Sequence, residues 1–498
     1  MKLFLDKCML LKPLSLFFSL VLFIGLGMTG FPQPMIDDLF FIGAGLNLAM
    51  GKSFSNPMLD RQNFPGTLYF VHPPLHSYAL ASWLKVFGVG TISILAFQII
   101  MYVIICWSTI LILKKYNSPR LLEWLVPLGV ITSFLSLGLR PEPLSVALTM
   151  LGFALLECFG EEATILFSGF LLLFLGASVA SRLSFFSAAL ALAGFFRLFQ
   201  SGVSLIKLSK LAGSAMLTAL FIFACLIHFQ FRDFFEIYHF HAAGRVCGDK
   251  VGLLIRFICN FLGVTQWPII LFWLVSPLLL VQFLLKDKNT TRLCLFTFGA
   301  FLVLALIGGL GHGAIWYIVF VLFALTAAYA RCSTPLRSVL AQALLATALI
   351  LATSRYFVEI IGLTNQHIKT KETVKIIPYP TINHPVLIDA AAARYAYNYN
   401  LPNGVIDWNF AAPFPRELAI DDTLRQGDIF VLGPETIDIL NEKKLIDIPL
   451  PKWNPLGSKR WSFHQHPRMV YVIYAKDCLN DKAKSKNSQK TKHLSEID

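Results

Sequence analysis

The sequence predicts a polytopic α-helical membrane protein of about eleven transmembrane helices with a small C-terminal α/β domain. Three observations lead there. Of 498 residues 56% are hydrophobic and only 14% are charged, whereas a soluble domain carries about 25% charged residues. Apolar runs of about 15–22 residues recur along the chain, the length that a bilayer core demands. Lys and Arg concentrate in alternate short connections between those runs. The net charge of +13 is therefore a positive-inside pattern and not the footprint of a nucleic-acid binder.

The elements follow in order. Lys2, Lys7 and Lys12 precede an apolar run from Leu14 to Met28. No small-residue cleavage site follows, so this reads as an uncleaved first span with its N-terminus inside. Residues 31–90 read as a long mixed loop on the exterior side, with helices starting at Leu39 and at Leu75. Apolar spans then fall near 91–113, 122–139, 143–157, 163–180, 183–199, 211–229, 264–285, 293–310, 314–330 and 337–353. With this count, Lys114, Lys115, Arg120, Arg197, Lys207, Lys210, Lys286, Lys288, Arg292, Arg331 and Arg337 fall inside, while the short exterior turns hold only Arg140 and Arg182. Residues 230–263 form the second long exterior loop, and the odd span count leaves the C-terminal region outside too. The domain reading is 1–355 as the transmembrane domain, 356–480 as an exterior α/β domain and 481–498 as a disordered tail.

In the C-terminal domain, Pro385–Asp389, Asp428–Gly433 and Met469–Tyr474 read as strands. Ala390–Tyr397 and the stretch from Pro434 to Lys444 read as helices, the latter with Pro at a favourable first-turn position. The nine cysteines form no CxxC and no metal spacing, so neither a zinc site nor a redox motif is supported. Cys247 and Cys259 share one exterior loop and could bridge or stay as free thiols. There is no P-loop, no GxGxxG after a strand and no nucleophile elbow, so chemistry using ATP or NAD is unsupported.

The residues that could carry chemistry lie on the exterior side. Asp37 and Asp38 are adjacent carboxylates just beyond the first span. An ionised Asp beside hydrocarbon costs several kcal/mol unless it is paired. One could act as a general base on an acceptor hydroxyl, with its neighbour orienting it or holding a cation. Equally, the pair could cap the helix at Leu39. His72 precedes Pro73-Pro74, which fix an extended turn and start a helix; it could bind substrate, tune a carboxylate, or be structural. Arg140-Pro141-Glu142-Pro143 holds a cation and a carboxylate in a rigid turn, suited to an anion or sugar contact or to a local ion pair. Arg182 stands on the side disfavoured for cations, where it could grip a phosphate or snorkel to headgroups. The segment Tyr238–Arg245 carries His239, His241 and Arg245. A lone HxH is a weak metal signal, and His464 with His466 repeats that weakness.

In their order along the chain these pieces resemble the GT-C class of membrane glycosyltransferases. More narrowly they are similar to protein O-mannosyltransferases and to bacterial aminoarabinose and lipopolysaccharide-core transferases. The matching pieces are the first span, Asp37-Asp38 opening a helix, His72-Pro73-Pro74 ahead of a helix through Trp83 to Phe87-Gly88, and the Arg140-Pro141-Glu142 turn. The resemblance covers roughly residues 10–355. It departs where Asp38 stands for the commoner Glu, Glu142 for Asp, and Arg182 for Lys.

The resemblance implies a polyprenyl-phosphate sugar donor used at the exterior face, with a glycan, lipid or protein acceptor. Asp37 and Asp38 would be catalytic; His72, Arg140, Glu142, Arg182, His241 and Arg245 would bind substrate. A single displacement would invert the anomeric centre. No cofactor is implied beyond a divalent cation that the acidic pair could hold. Membrane lipids are the other expected partners, and the expected location is a bacterial inner membrane with the site facing the periplasm. The competing readings are a polytopic transporter or lipid flippase, and an enzymatically silent envelope scaffold. Neither a broken-helix pair nor an internal repeat favours transport.

Overall fold

The computed structural model describes residues 13–28, 38–56, 68–115, 123–124, 126–127, 130, 139–159, 162–180 and 183–243, and four short strands further on. Nine helices are described: α1 (Pro13–Met28), α2 (Asp38–Ala49), α3 (Leu75–Phe87), α4 (Thr91–Lys115), α5 (Glu142–Phe159), α6 (Ala163–Val179), α7 (Ser184–Gln200), α8 (Leu205–Leu226) and α9 (Phe231–Ala243). Three stretches are long and apolar enough to cross a membrane, Ile92–Lys115, Glu142–Phe159 and Leu205–Leu226. Shorter apolar helices include Ala163–Val179 and Phe186–Gln200. The chain is therefore a helical membrane protein. The predicted spans at 264–285, 293–310, 314–330 and 337–353 lie outside the described residues, as does most of 122–139.

The helix boundaries have local causes. Pro74 caps α3 and Leu75 begins it, because the pyrrolidine ring presets the backbone and loses no needed donor there. Gly88, at φ 85°, ends α3 in a conformation that side chains resist. Ser204 caps α8 by accepting from the Lys207 amide at 3.3 Å.

Close packing of α5 on α6 comes from small residues. A Cβ at Gly152 would stand 2.6 Å from the Gly169 carbonyl, and one at Gly176 would strike Thr149. Backbones that approach this closely gain van der Waals contact, which drives helix association where lipid offers no hydrophobic force. Polar side chains add to it. Ser145 Oγ donates to the Gly176 carbonyl at 2.7 Å, and the Thr149 and Ser187 hydroxyls meet at 2.6 Å.

Two expectations are corrected here. Asp38 is the first residue of α2 and not a cap ahead of Leu39. Residues 230–263 do not begin as loop: Phe231–Ala243 is helix α9. Its Phe234 and Ile237 are buried at helical spacing, and Phe234 packs its ring 5.7 Å from Phe70 and 5.1 Å from Phe223. The elbow before it is made by His228 and Phe229, at φ 52° and 59°. Tyr78 on α3 reaches across to this elbow, its hydroxyl 3.0 Å from His228 Nε2.

Strands β1 (Val386–Ile388), β2 (Ile406–Asp407), β3 (Ile429–Leu432) and β4 (Tyr471–Tyr474) form one sheet in the order β2-β1-β3-β4. β1 is parallel to both β2 and β3, and β4 is antiparallel to β3. β1, β3 and β4 fall within the three segments read as strands; β2 was not anticipated. The helices expected at 390–397 and 434–444, and the tail, lie outside the described residues.

Candidate functional site

The site is built around Phe41, in the first turn of α2 and three residues beyond Asp38. Three chain segments converge on it. The ring of His72, from the bend before α3, lies 5.0 Å from the Phe41 ring. The Arg140 guanidinium, from the turn that opens α5, sits 4.7 Å above the same ring. A guanidinium over an aromatic face is held by the ring quadrupole, an attraction that strengthens once water is excluded. Arg140 Nε also lies 3.3 Å from Glu142 Oε1, so the turn carries its own ion pair. Gln98 on α4 donates its side-chain amide to the Arg140 carbonyl at 3.5 Å.

His76 belongs to this group and was not singled out in the sequence. It sits four residues after His72, buried in the first turn of α3 and packed with its ring 6.0 Å from that of Phe97. Burial pushes its pKa down to about 4; the Glu142 carboxylate and a hydrogen bond to the Phe41 backbone oppose that without cancelling it. At neutral pH the ring is uncharged. The available signal was the His72-Pro-Pro-Leu-His76 spacing, which puts a second imidazole just inside a helix that Pro74 starts. A histidine in an apolar helix gives no further hint of its neighbours.

Of the residues expected at the site, His72 and the Arg140–Glu142 turn are brought together at Phe41 although some seventy residues separate them in sequence. Asp38 lies on α2, its backbone within a turn of Phe41; its side chain lies outside the described residues, as do Asp37, Arg182 and Arg245. His241 is helical, and its side chain too lies outside them. One reading needs correction. His239 and His241 lie on a helix, not a loop, and residues two apart on a helix point about 200° apart. They cannot chelate one ion together. Among the described residues no cluster of His, Cys, Asp and Glu could hold a metal.

A second charged group was not anticipated and lies at the far end of α5. Glu157 has a fully buried side chain, paired with Arg197 of α7 and with Lys115 of α4, whose Nζ is 3.7 Å away. Arg197 also donates to the Glu157 carbonyl at 3.0 Å. Nearby, Lys114 and Glu123 approach to 3.9 Å. Glu142 and Glu157 are fifteen residues apart on one helix, which is about 22 Å of axial rise. Arg140 with Glu142, and Glu157 with its cations Lys115 and Arg197, thus lie at opposite ends of α5.

Comparison with known proteins finds no match among family models, curated proteins or solved structures. The class that fold and site define is a polytopic helical membrane protein with a buried polar cluster at one end of its spans.

Proposed function

We propose that this protein is an integral membrane glycosyltransferase. It moves a sugar from a polyprenyl-phosphate donor to an acceptor at the exterior face of a bacterial inner membrane, by a single inverting displacement. The observation that carries the reading is the meeting of His72, Arg140 and Glu142 around Phe41, in the first turn of the helix that the acidic pair opens. Paired carboxylates next to a rigid cation–carboxylate turn, at a membrane surface, suit a reaction needing a base and an oriented polar substrate.

The chemistry is economical. A lipid-linked sugar arrives in the membrane plane, where nucleotide sugars are not normally available. Phosphate leaves readily, so the demands are a base for the acceptor hydroxyl, a cation for the phosphate, and alignment of the two. In this reading Asp37 is the base, Asp38 supports it, and Arg182 with Arg245 meets the phosphate. His72, Arg140, Glu142 and His241 line the substrate.

The test is sugar transfer from polyprenyl-phosphate donors in proteoliposomes, with wild type and Asp37→Asn at matched membrane levels. Asn is nearly isosteric with Asp and also caps helices, so the variant inserts normally. A positioned base contributes roughly 10²–10⁴-fold in rate, and the variant is expected to lose that much turnover while still binding donor. Full activity in Asp37→Asn removes Asp37 from the chemistry. Wild-type protein that moves the lipid across the bilayer without transferring sugar makes it a flippase instead.

A further inference from the structure

The cluster around Phe41 contains buried hydrogen-bonding atoms that no described residue satisfies. His76, Gln98 and Glu142 are 3%, 2% and 4% exposed. Each spends one polar atom on a known partner and leaves another over. Glu142 turns Oε1 toward Arg140 and leaves Oε2; Gln98 gives its amide nitrogen to the Arg140 carbonyl and leaves Oε1. His76 bonds the Phe41 backbone and leaves Nε2. That backbone bond favours the protonated ring, so its partner is the carbonyl and the donor is the other ring nitrogen. In an uncharged imidazole Nε2 is then the lone pair.

All three leftover atoms are acceptors. They come from three helices and are neighbours: His76 feels the Glu142 carboxylate and packs on Phe97, while Gln98 bonds the residue two before Glu142. A buried acceptor without a donor costs about 1–3 kcal/mol, and three together make an incomplete arrangement that a donor-rich group completes. The charge balance says which kind of group. The one carboxylate of the trio is already paired with Arg140, whose guanidinium beside it opposes a second cation. Neutral O–H donors fit; ammonium and metal ions do not.

We propose that His76, Gln98 and Glu142 form a binding site for the hydroxyl groups of a neutral sugar. This rests on the glycosyl-transfer reading and deepens it, by saying which part of the substrate lies between α3, α4 and α5. A fixed internal water offers the same O–H chemistry, and the experiment separates the two.

The test uses the full chain in nanodiscs and reads its melting temperature with and without millimolar D-glucose, D-mannose, D-galactose or L-arabinose. The variants are Gln98→Leu and His76→Phe, each similar in volume and without the orphan acceptor. At least one sugar is expected to raise the wild-type melting temperature. In either variant its half-saturation weakens about tenfold or more, the loss of one such hydrogen bond. Each variant removes an unmet acceptor but also a made bond, from Gln98 to the Arg140 carbonyl or from His76 to the Phe41 backbone, so the sugar response and not the sugar-free melting temperature is the readout. No stabilisation of wild type by any of the sugars overturns the proposal. So do variants that both keep the wild-type sugar response, since the orphan acceptors then face a structural water and not the sugar. A transfer assay on the same samples keeps the two readings apart. Sugar stabilisation without transfer spares the site and sinks the enzyme reading; transfer with stabilisation insensitive to both variants does the reverse.

Discussion

Burial of His76 makes the candidate site sensitive to acid. The ring is 3% exposed and its pKa falls from 6.5 to about 4 on folding. The unfolded chain therefore binds a proton between those values that the folded chain refuses. Stability from this residue is complete above about pH 6.5 and is lost as the pH falls toward about 4. The whole difference is about 3 kcal/mol, from roughly 1.4 kcal/mol per unit. Glu142 is the charged group that acts on it, Arg140 is paired with Glu142, and His72 is the other titratable ring in the cluster. The melting temperature of purified protein is expected to drop on going from pH 7 to pH 5, and to drop less in His76→Phe. Parallel acid profiles for the two proteins would remove His76 as the cause. His76 went unnoticed in the sequence because nothing local distinguishes a buried imidazole from an exposed one; Phe41, Phe97 and Glu142 make the difference, and they come from three other elements.

At the scale of elements, two contacts between helices decide how the spans hold together. The first is the Gly152–Gly169 approach of α5 on α6. Gly152→Val puts a branched side chain against a backbone carbonyl that cannot swing away. It is expected to cost about 1–3 kcal/mol and to lower the melting temperature. The same change at Gly213 on α8, where nothing lies within 4 Å of a built Cβ, is expected to be nearly silent. The second is the Glu157 pair with Lys115 and Arg197, which joins α4, α5 and α7. Glu157→Ala leaves two cations facing each other. Because those cations are each 29% exposed, water offsets part of the loss, and the expected cost is about 1–3 kcal/mol. Glu157→Gln keeps the hydrogen-bonding shape and is expected to cost less. Equal melting of the Ala variant and wild type would make the cluster electrostatically idle.

For the molecule as a whole, the two charged clusters predict which end of the bundle faces which side. Val89, between α3 and α4, and Ser201, between α7 and α8, are both exposed. With the nine native cysteines replaced, Val89→Cys is expected to react with an impermeant thiol reagent added outside intact cells. Ser201→Cys is expected to react only once the membrane is opened. Labelling of both from one side would break the alternation on which the exterior site depends. A reporter fused after residue 360 extends the test to the C-terminal region, whose exterior location is read from the span count.

The sequence by itself determined the class of protein and the outline of its helices. Runs of apolar residues longer than a dozen leave the backbone no choice in lipid but to pair with itself. That is why the spans read at 91–113, 143–157 and 211–229 overlap the helices Thr91–Lys115, Glu142–Phe159 and Leu205–Leu226, although the last begins six residues earlier and takes in Lys207 and Lys210. Pro74 and Gly88 marked the ends of α3 for equally local reasons. It also drew attention to His72, Arg140 and Glu142, because charged and proline-framed residues are rare in such company. Only the tertiary structure decided that those three meet over Phe41, that His76 and Gln98 join them, and that Glu157 gathers cations at the opposite end. It also turned Phe231–Ala243 into a helix, since the aromatic contacts of Phe234 come from Phe70 and Phe223 on other parts of the chain. The physical reason is the same in each case. Helix formation in a membrane is settled within a segment, but the partners of a buried polar or aromatic side chain are settled by which segments pack together.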